Sequence, residues 1–122
     1  MDDIRTIVND LDTTATRTVS AFRALYPCKL LAATWMQELA VDGAKTVKIR
    51  NETRTLDLTQ QLTINGLGAL GSAVFTVIPA NADIRKGDVI SIVYTVTTAG
   101  TVAPGESAVN MHTRIGPSGE II

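Results

Sequence analysis

Val89-Ile90-Ser91-Ile92-Val93-Tyr94-Thr95-Val96-Thr97 is the stretch whose reading decides the fold. Ile90, Ile92, Tyr94 and Val96 share one parity, while Ser91, Thr95 and Thr97 share the other, interrupted by Val93. Side chains of a strand alternate between two faces, so this segment has one apolar face and one hydroxyl-rich face. β-branched and aromatic residues dominate it, and these favour a pleated surface.

The same period extends outward in both directions. Downstream, Thr98 to Gly105 is a loop holding Gly100, Pro104 and Gly105, and Ser107 to Ile115 forms a closing strand. There Val109, Met111, Thr113 and Ile115 alternate with Asn110, His112 and Arg114, which puts His112 on the polar, solvent-facing side. Upstream, two turn-rich pieces (Pro79 to Asp83 and Arg85 to Asp88) flank Ile84. Ser72 to Pro79 reads as a strand apolar on both faces, with Phe75 and Val77 opposite Val74 and Ile78. Asn65 to Gly71 is a glycine-rich loop, and Leu62 and Ile64 belong to a further short strand. From Thr46 to Thr55 the chain alternates again, Val47 and Ile49 against Lys48 and Arg50, with Leu56 and Leu58 continuing the pattern. That is a strand with one buried and one wet face.

Val41 to Ala44 is a turn, and Lys29 to Leu39 before it is a second extended run rich in Leu, Ala, Trp35 and Met36. A helix competes there, since Leu, Ala and Met are good helix formers, but the flanking strands and the turn favour a strand. Tyr26-Pro27 ends a first strand over Arg17 to Leu25. Before a polar break at Thr13 to Thr16, Ile4, Ile7, Val8 and Leu11 fall at i, i+3, i+4 and i+7, one stripe of a short helix capped by Asp2 or Asp3. About three helical turns are too few to stand alone, so the stripe needs a surface, either its own domain or another subunit.

Seven or eight short strands separated by turn residues argue for an all-β, antiparallel β-sandwich with a short N-terminal helix or arm. The expected organisation is an arm over 1–16, the sandwich over 17–116 and a tail over 117–122. The chain has 122 residues, 45% of them hydrophobic and 19% charged, which suffices for one core and excludes a disordered class. The net charge of −1 lacks the cationic surplus of a phosphate-binding surface, so no nucleic acid is expected as a partner. No apolar run approaches a membrane span, and the acidic opening Met1-Asp2-Asp3 argues against an export signal.

The chemistry-bearing residues are sparse. Cys28 is the single cysteine and reads as a small buried hydrophobe. With His112 the single histidine, no usual zinc set can be assembled, and a Cys–His catalytic pair lacks a third orienting group. Gly66-Leu67-Gly68-Ala69-Leu70-Gly71 matches the dinucleotide fingerprint letter for letter, yet a strand rather than a helix is expected to follow it. Asn51-Glu52-Thr53 is a glycosylation sequon, meaningful only in a secreted eukaryotic chain. Asp42, Asp57, Asp83 and Asp88 sit in separate turns, without the dense spacing of a calcium loop. Glu38, Glu52, Glu106 and Glu120 fall in or beside exposed turns and strand faces, where nothing raises a catalytic carboxyl pKa. The expectation is a protein that is not an enzyme and holds no cofactor and no metal.

The run from Phe22 to Ile115 resembles the β-sandwich head-decoration (capsid cement) and head-fibre proteins of tailed phages. The likeness rests on Arg23-Ala24-Leu25-Tyr26-Pro27-Cys28, the apolar Lys29 to Met36, and Asp42-Gly43-Ala44 leading into Thr46-Val47-Lys48-Ile49. It continues through Asn65 to Gly71, Phe75 to Asn81, Ile84 to Ser91 and the closing Arg114-Ile115-Gly116. The resemblance implies a structural virion protein made in the host cytoplasm and bound to the outer capsid surface, with the major capsid protein as partner. A homo-oligomer, such as a trimer at a symmetry axis, is the expected state. The stripe Ile4, Ile7, Val8 and Leu11 lies outside the resemblance and is expected to dock on the capsid or on a sister subunit. Two alternatives are a head- or tail-fibre domain that binds a host surface and a non-viral carbohydrate-binding sandwich.

Overall fold

The structure is a computed structural model describing residues 2–11, 15–98 and 100–115, with the backbone alone for Asp2, Asn9, Asp10 and Leu11. In chain order the strands are β1 (Asp2–Leu11), β2 (Arg17–Arg23), β3 (Cys28–Gln37), β4 (Ala44–Asn51), β5 (Leu56–Asp57), β6 (Leu62–Thr63), β7 (Ser72–Val74), β8 (Asp83–Ile84), β9 (Val89–Thr98) and β10 (Gly105–Ile115). They form two five-stranded antiparallel sheets. The first runs β1-β10-β3-β7 with β8 also on β3, and the second runs β2-β9-β4-β5 with β6 also on β4.

The order is interleaved. The first strand pairs with the last, the second with the last but one, and β10 and β9 are each wedged between two early strands. This is the jelly roll, two Greek keys wrapped into a sandwich. Seven of its eight strand positions answer to strands legible in the sequence, and the eighth is β1, expected there as a helix. The ten arise because β5 and β6 share one place beside β4, and β7 and β8 share one beside β3.

The N-terminal helix is not formed. Asp2 to Leu11 is an edge strand that pairs with β10 along its whole length, from Asp2 opposite Arg114 to Leu11 opposite Gly105. The physical reason is β10's open side: a ladder there satisfies backbone groups that a three-turn helix would leave at its ends. The tail expected over 117–122 lies outside the described residues.

Two strand boundaries also differ from the sequence reading. The strand expected to reach Thr55 stops at Asn51, whose Oδ1 accepts from Arg54 N at 3.2 Å in a turn that puts Thr55 at φ 56°. The run Ser72 to Pro79 pairs with β3 only as far as Val74. It then crosses to the other sheet, where Val77 bridges Thr59 and Ile78 N donates to Leu58 O at 2.8 Å. Phe75 and Val77 pack on the core along this crossing, whereas Val74 projects into solvent.

The core lies between the sheets. Ile90, Ile92 and Tyr94 of β9 and Val47 and Ile49 of β4 face Leu30, Ala33 and Trp35 of β3 and Val109 and Met111 of β10. Phe75, Ile84, Leu58 and Ile64 close its sides, and Cys28 is buried among these residues. Burial pushes the Cys28 thiol pKa up, which disfavours the reactive thiolate. Buried polar groups are paired: Trp35 Nε1 donates to Gln37 Oε1 at 2.9 Å, and Gln37 Nε2 donates to Leu39 O at 3.0 Å. Lys45, at 0% exposure, donates from Nζ to the Asp42 carbonyl oxygen, 3.6 Å from the Asp42 carboxylate. The Asp42 carboxylate accepts from Thr101 N and Val102 N, both at 2.9 Å, so it ties the β3–β4 turn to the β9–β10 loop. Those backbone donors hold its pKa well below the usual carboxylate range. Gly100 stands so close to this carboxylate that a Cβ has no room there.

Candidate assembly surface

The two outer faces of the sandwich differ in chemistry. On the second sheet, β4 presents Lys48 and Arg50 to Asp57 of β5, at 3.2 and 3.0 Å, and Arg50 also meets Glu52 at 3.5 Å. Ser91 Oγ donates to the same Glu52 at 2.7 Å. The rest of that face is mostly hydroxyls, among them Thr18, Ser20, Thr46, Thr63 and Thr95, with the half-buried Val93 between Thr18 and Lys48. A polar face whose charges are already paired is well solvated and offers little to a partner.

The first sheet's outer face reads in rows fixed by the register. Ile4 stands beside His112 and Ala32; Thr6 beside Asn110, Thr34 and Val74; Val8 beside Ala108, Met36 and Ser72. These three rows hold no carboxylate, lysine or arginine. Their apolar members are exposed: Ile4 71%, Val8 57%, Met36 47% and Val74 68%. Leu70, on the loop before β7, adds another at 79% and stands at φ 56°, a left-handed conformation that is strained for a bulky residue. Between these projections the small residues leave two open depressions. One, of about 240 Å³, is lined by Val8, Met36, Glu38, Leu70, Glu106 and Ala108. The other, of about 190 Å³, is lined by Ile4, Ala32, Thr34, Asn110 and His112.

Charge returns only beyond the three rows. At one end Glu106 and Glu38 are neighbours across the β10–β3 pair, where Glu38 N donates to Glu106 O at 3.1 Å. At the other end Arg114 stands opposite Lys29, with Asp83 of β8 next in register.

The sequence-derived stripe is thus split by the strand's period. Ile4 and Val8 lie on the outer face, exposed. Ile7 has the opposite parity and packs against the core. Leu11 pairs with Gly105 through its backbone, and its side chain lies outside the described residues. On the inward side Arg5 stacks over the Phe22 ring at 4.4 Å, closing the gap between edge strands β1 and β2. The residues that complete the surface are Met36 on β3 and, from a second segment distant in sequence, Leu70 and Val74 in and before β7. Parity within β3 places Met36 opposite Trp35, and that signal was present in the sequence.

Chemistry-bearing side chains do not converge. Among the described residues no group of three His, Cys, Asp or Glu is placed to hold a metal ion, and no helix is long and apolar enough to cross a membrane. The glycine-rich 66–71 segment leads into the three-residue β7, not a helix, so it has no helix N-terminus to face a pyrophosphate.

Topology and surface together define the class: a jelly-roll β-sandwich with one uncharged sheet face open to solvent. No family model and no curated protein matches the sequence. Among solved structures, a chain in the capsid of Ralstonia phage GP4 is similar at TM-score 0.65 and 15% identity, over 97% of this chain and 86% of that one. A chain in the capsid asymmetric unit of cyanophage Pam1 is similar at TM-score 0.60 and 11% identity, over 95% and 84%. The crystal structure of FLHE is similar at TM-score 0.50 and 14% identity, over 93% and 97%. At these identities the likeness is one of fold.

Proposed function

We propose that the chain is a structural protein of a tailed-phage virion, of the head-decoration (cement) type. It is made in the host cytoplasm and held on the outer surface of the shell by contacts with the major capsid protein and with further copies of itself. The observation that carries this reading is the uncharged outer face of the first sheet, with Ile4, Val8, Met36 and Val74 projecting from a floor of small residues. The fold adds support: two chains from phage capsids share it over nearly all of this chain and over 84% and 86% of their own length.

The mechanism is adhesive and involves no catalysis, cofactor or nucleic acid. Apolar area removed from water contributes about 25 cal/mol per Å², less the cost of lost motion on association. Repetition around a closed shell lets contacts of modest strength act together. The test is a copy count by quantitative mass spectrometry on purified particles. Decoration gives copies in the hundreds, in fixed ratio to the major capsid protein. A handful per particle points to a fibre domain instead, and absence from particles overturns the reading.

A further inference from the structure

The outer face of the first sheet is self-complementary, and we infer that it binds a second copy of this chain across a two-fold axis lying in the interface, perpendicular to the strands. This names the first neighbour of the surface read above as an assembly face. The axis is fixed by the rows. Rotation about a line through the central row (Thr6, Asn110, Thr34, Val74) sets each remaining row against its opposite on the other copy.

Size then matches across the rows, and charge matches on β3 and β10 but not on β1. Met36 sits over the Ala32 position, His112 over Ala108, and Val8 over Ile4, so large faces small wherever the two differ. At the ends, Glu38 sits over Lys29 and Glu106 over Arg114, while on β1 the register sets Asp2 over Asp10, so two unlike pairings stand against one like pairing, and the symmetry repeats each. Among the described residues, Lys29, Glu38 and Glu106 make no ion pair within the chain. Two glutamates side by side on neighbouring strands repel, and an opposed lysine and arginine relieve that repulsion. Rotation about an axis along the strands through the middle of the sheet instead would stack Glu38 on Glu106 and Lys29 on Arg114, like on like.

The area is adequate. Three strands about 4.8 Å apart, each contributing nine residues at about 3.4 Å rise, and the three-residue β7 beside them span a face of roughly 500 Å². Two such faces bury about 1,000 Å², the threshold of a specific interface, so the end charges decide whether the pair holds. Sheets stacked this way lie about 10 Å apart with strands turned by about 30°.

Charge swapping tests the geometry directly, in the full chain and without a virion. One variant carries Glu38→Lys and Glu106→Lys; the other carries Lys29→Glu and Arg114→Glu. Each alone opposes like charges across the two-fold, whereas the mixture restores all four pairs. Sedimentation equilibrium at low salt is expected to show a dimer for the unmodified chain and association weakened about tenfold or more in favour of monomer for each variant alone. Recovery is expected on mixing, and recovery itself proves both variants folded. Glu38→Gln with Glu106→Gln, which keeps shape and removes charge, is expected to weaken pairing and flatten its salt dependence. A monomer or trimer at every concentration overturns the inference, as does a mixture no tighter than its components. Those outcomes leave the virion reading standing, while absence from particles removes that reading and leaves the dimer.

Discussion

Met36→Ala separates the two roles that a strand residue can have. The Met36 backbone sits in the ladder between Ala108 and Ser72, while its side chain projects from the outer face, 47% exposed. Fully burying a methionine side chain is worth about 1.5–3 kcal/mol, so covering the exposed half contributes about 1 kcal/mol. The two-fold doubles this to about 2 kcal/mol, or about 30-fold in the dimer dissociation constant. The fold itself loses almost nothing, within about 0.5 kcal/mol, because the deleted atoms face outward. Met111→Ala is the control: Met111 is fully buried between the sheets, and its truncation costs the fold about 2–5 kcal/mol. Sedimentation gives the pairing constant, and urea unfolding gives the stability. The reasoning is refuted if Met36→Ala destabilises the fold as Met111→Ala does while leaving association unchanged.

Lys45→Ala leaves a cavity and the Asp42 carbonyl unpaired, so it is expected to cost about 2–4 kcal/mol, and Lys45→Met, which keeps the volume, less than half of that. Both are read from denaturant midpoints. Asp42 has a folded pKa below its unfolded value, so its contribution is fully present above about pH 4 and is lost as pH falls toward the folded value. Asp42→Asn is therefore expected to lower the melting temperature at pH 7 and to converge with the parent chain in acid, as followed by circular dichroism. Leu70→Asn relieves a left-handed backbone strain at a side chain buried by nothing in its own chain, and stability is expected to rise by about 0.5–1 kcal/mol at unchanged denaturant slope.

Faces were legible in this sequence where neighbours were not. A period of two assigns Ile90, Ile92 and Tyr94 to the core whatever strand lies beside them, and the same holds for Val47, Ile49, Val109 and Met111. The period carries no information on which strands pair, so the interleaved jelly-roll order emerges only from long-range packing. Ile4, Ile7, Val8 and Leu11 satisfy a helical stripe as well as a strand whose faces hold Ile4 and Val8 on one side and Ile7 on the other. The vacancy beside β10, visible only in three dimensions, decides between them. Lys45 shares the parity of Val47 and Ile49, a clue to its burial that its charge obscures. The assembly surface was half legible. Ile4 and Val8 were singled out by their apolar character, but Ala32, Thr34 and Ala108 are unremarkable until register lays them side by side. The same is true of Glu38 and Glu106, neighbours across two strands yet 68 positions apart in the chain.

The central claim is that the outer face of the first sheet is covered when the protein is assembled. Hydroxyl-radical footprinting of methionines tests it, comparing purified particles with free chain diluted below its own association range. Met36 is expected to oxidise readily in the diluted chain and to be strongly protected in particles, with Met111 protected in both. Equal oxidation of Met36 in the two samples would contradict the account.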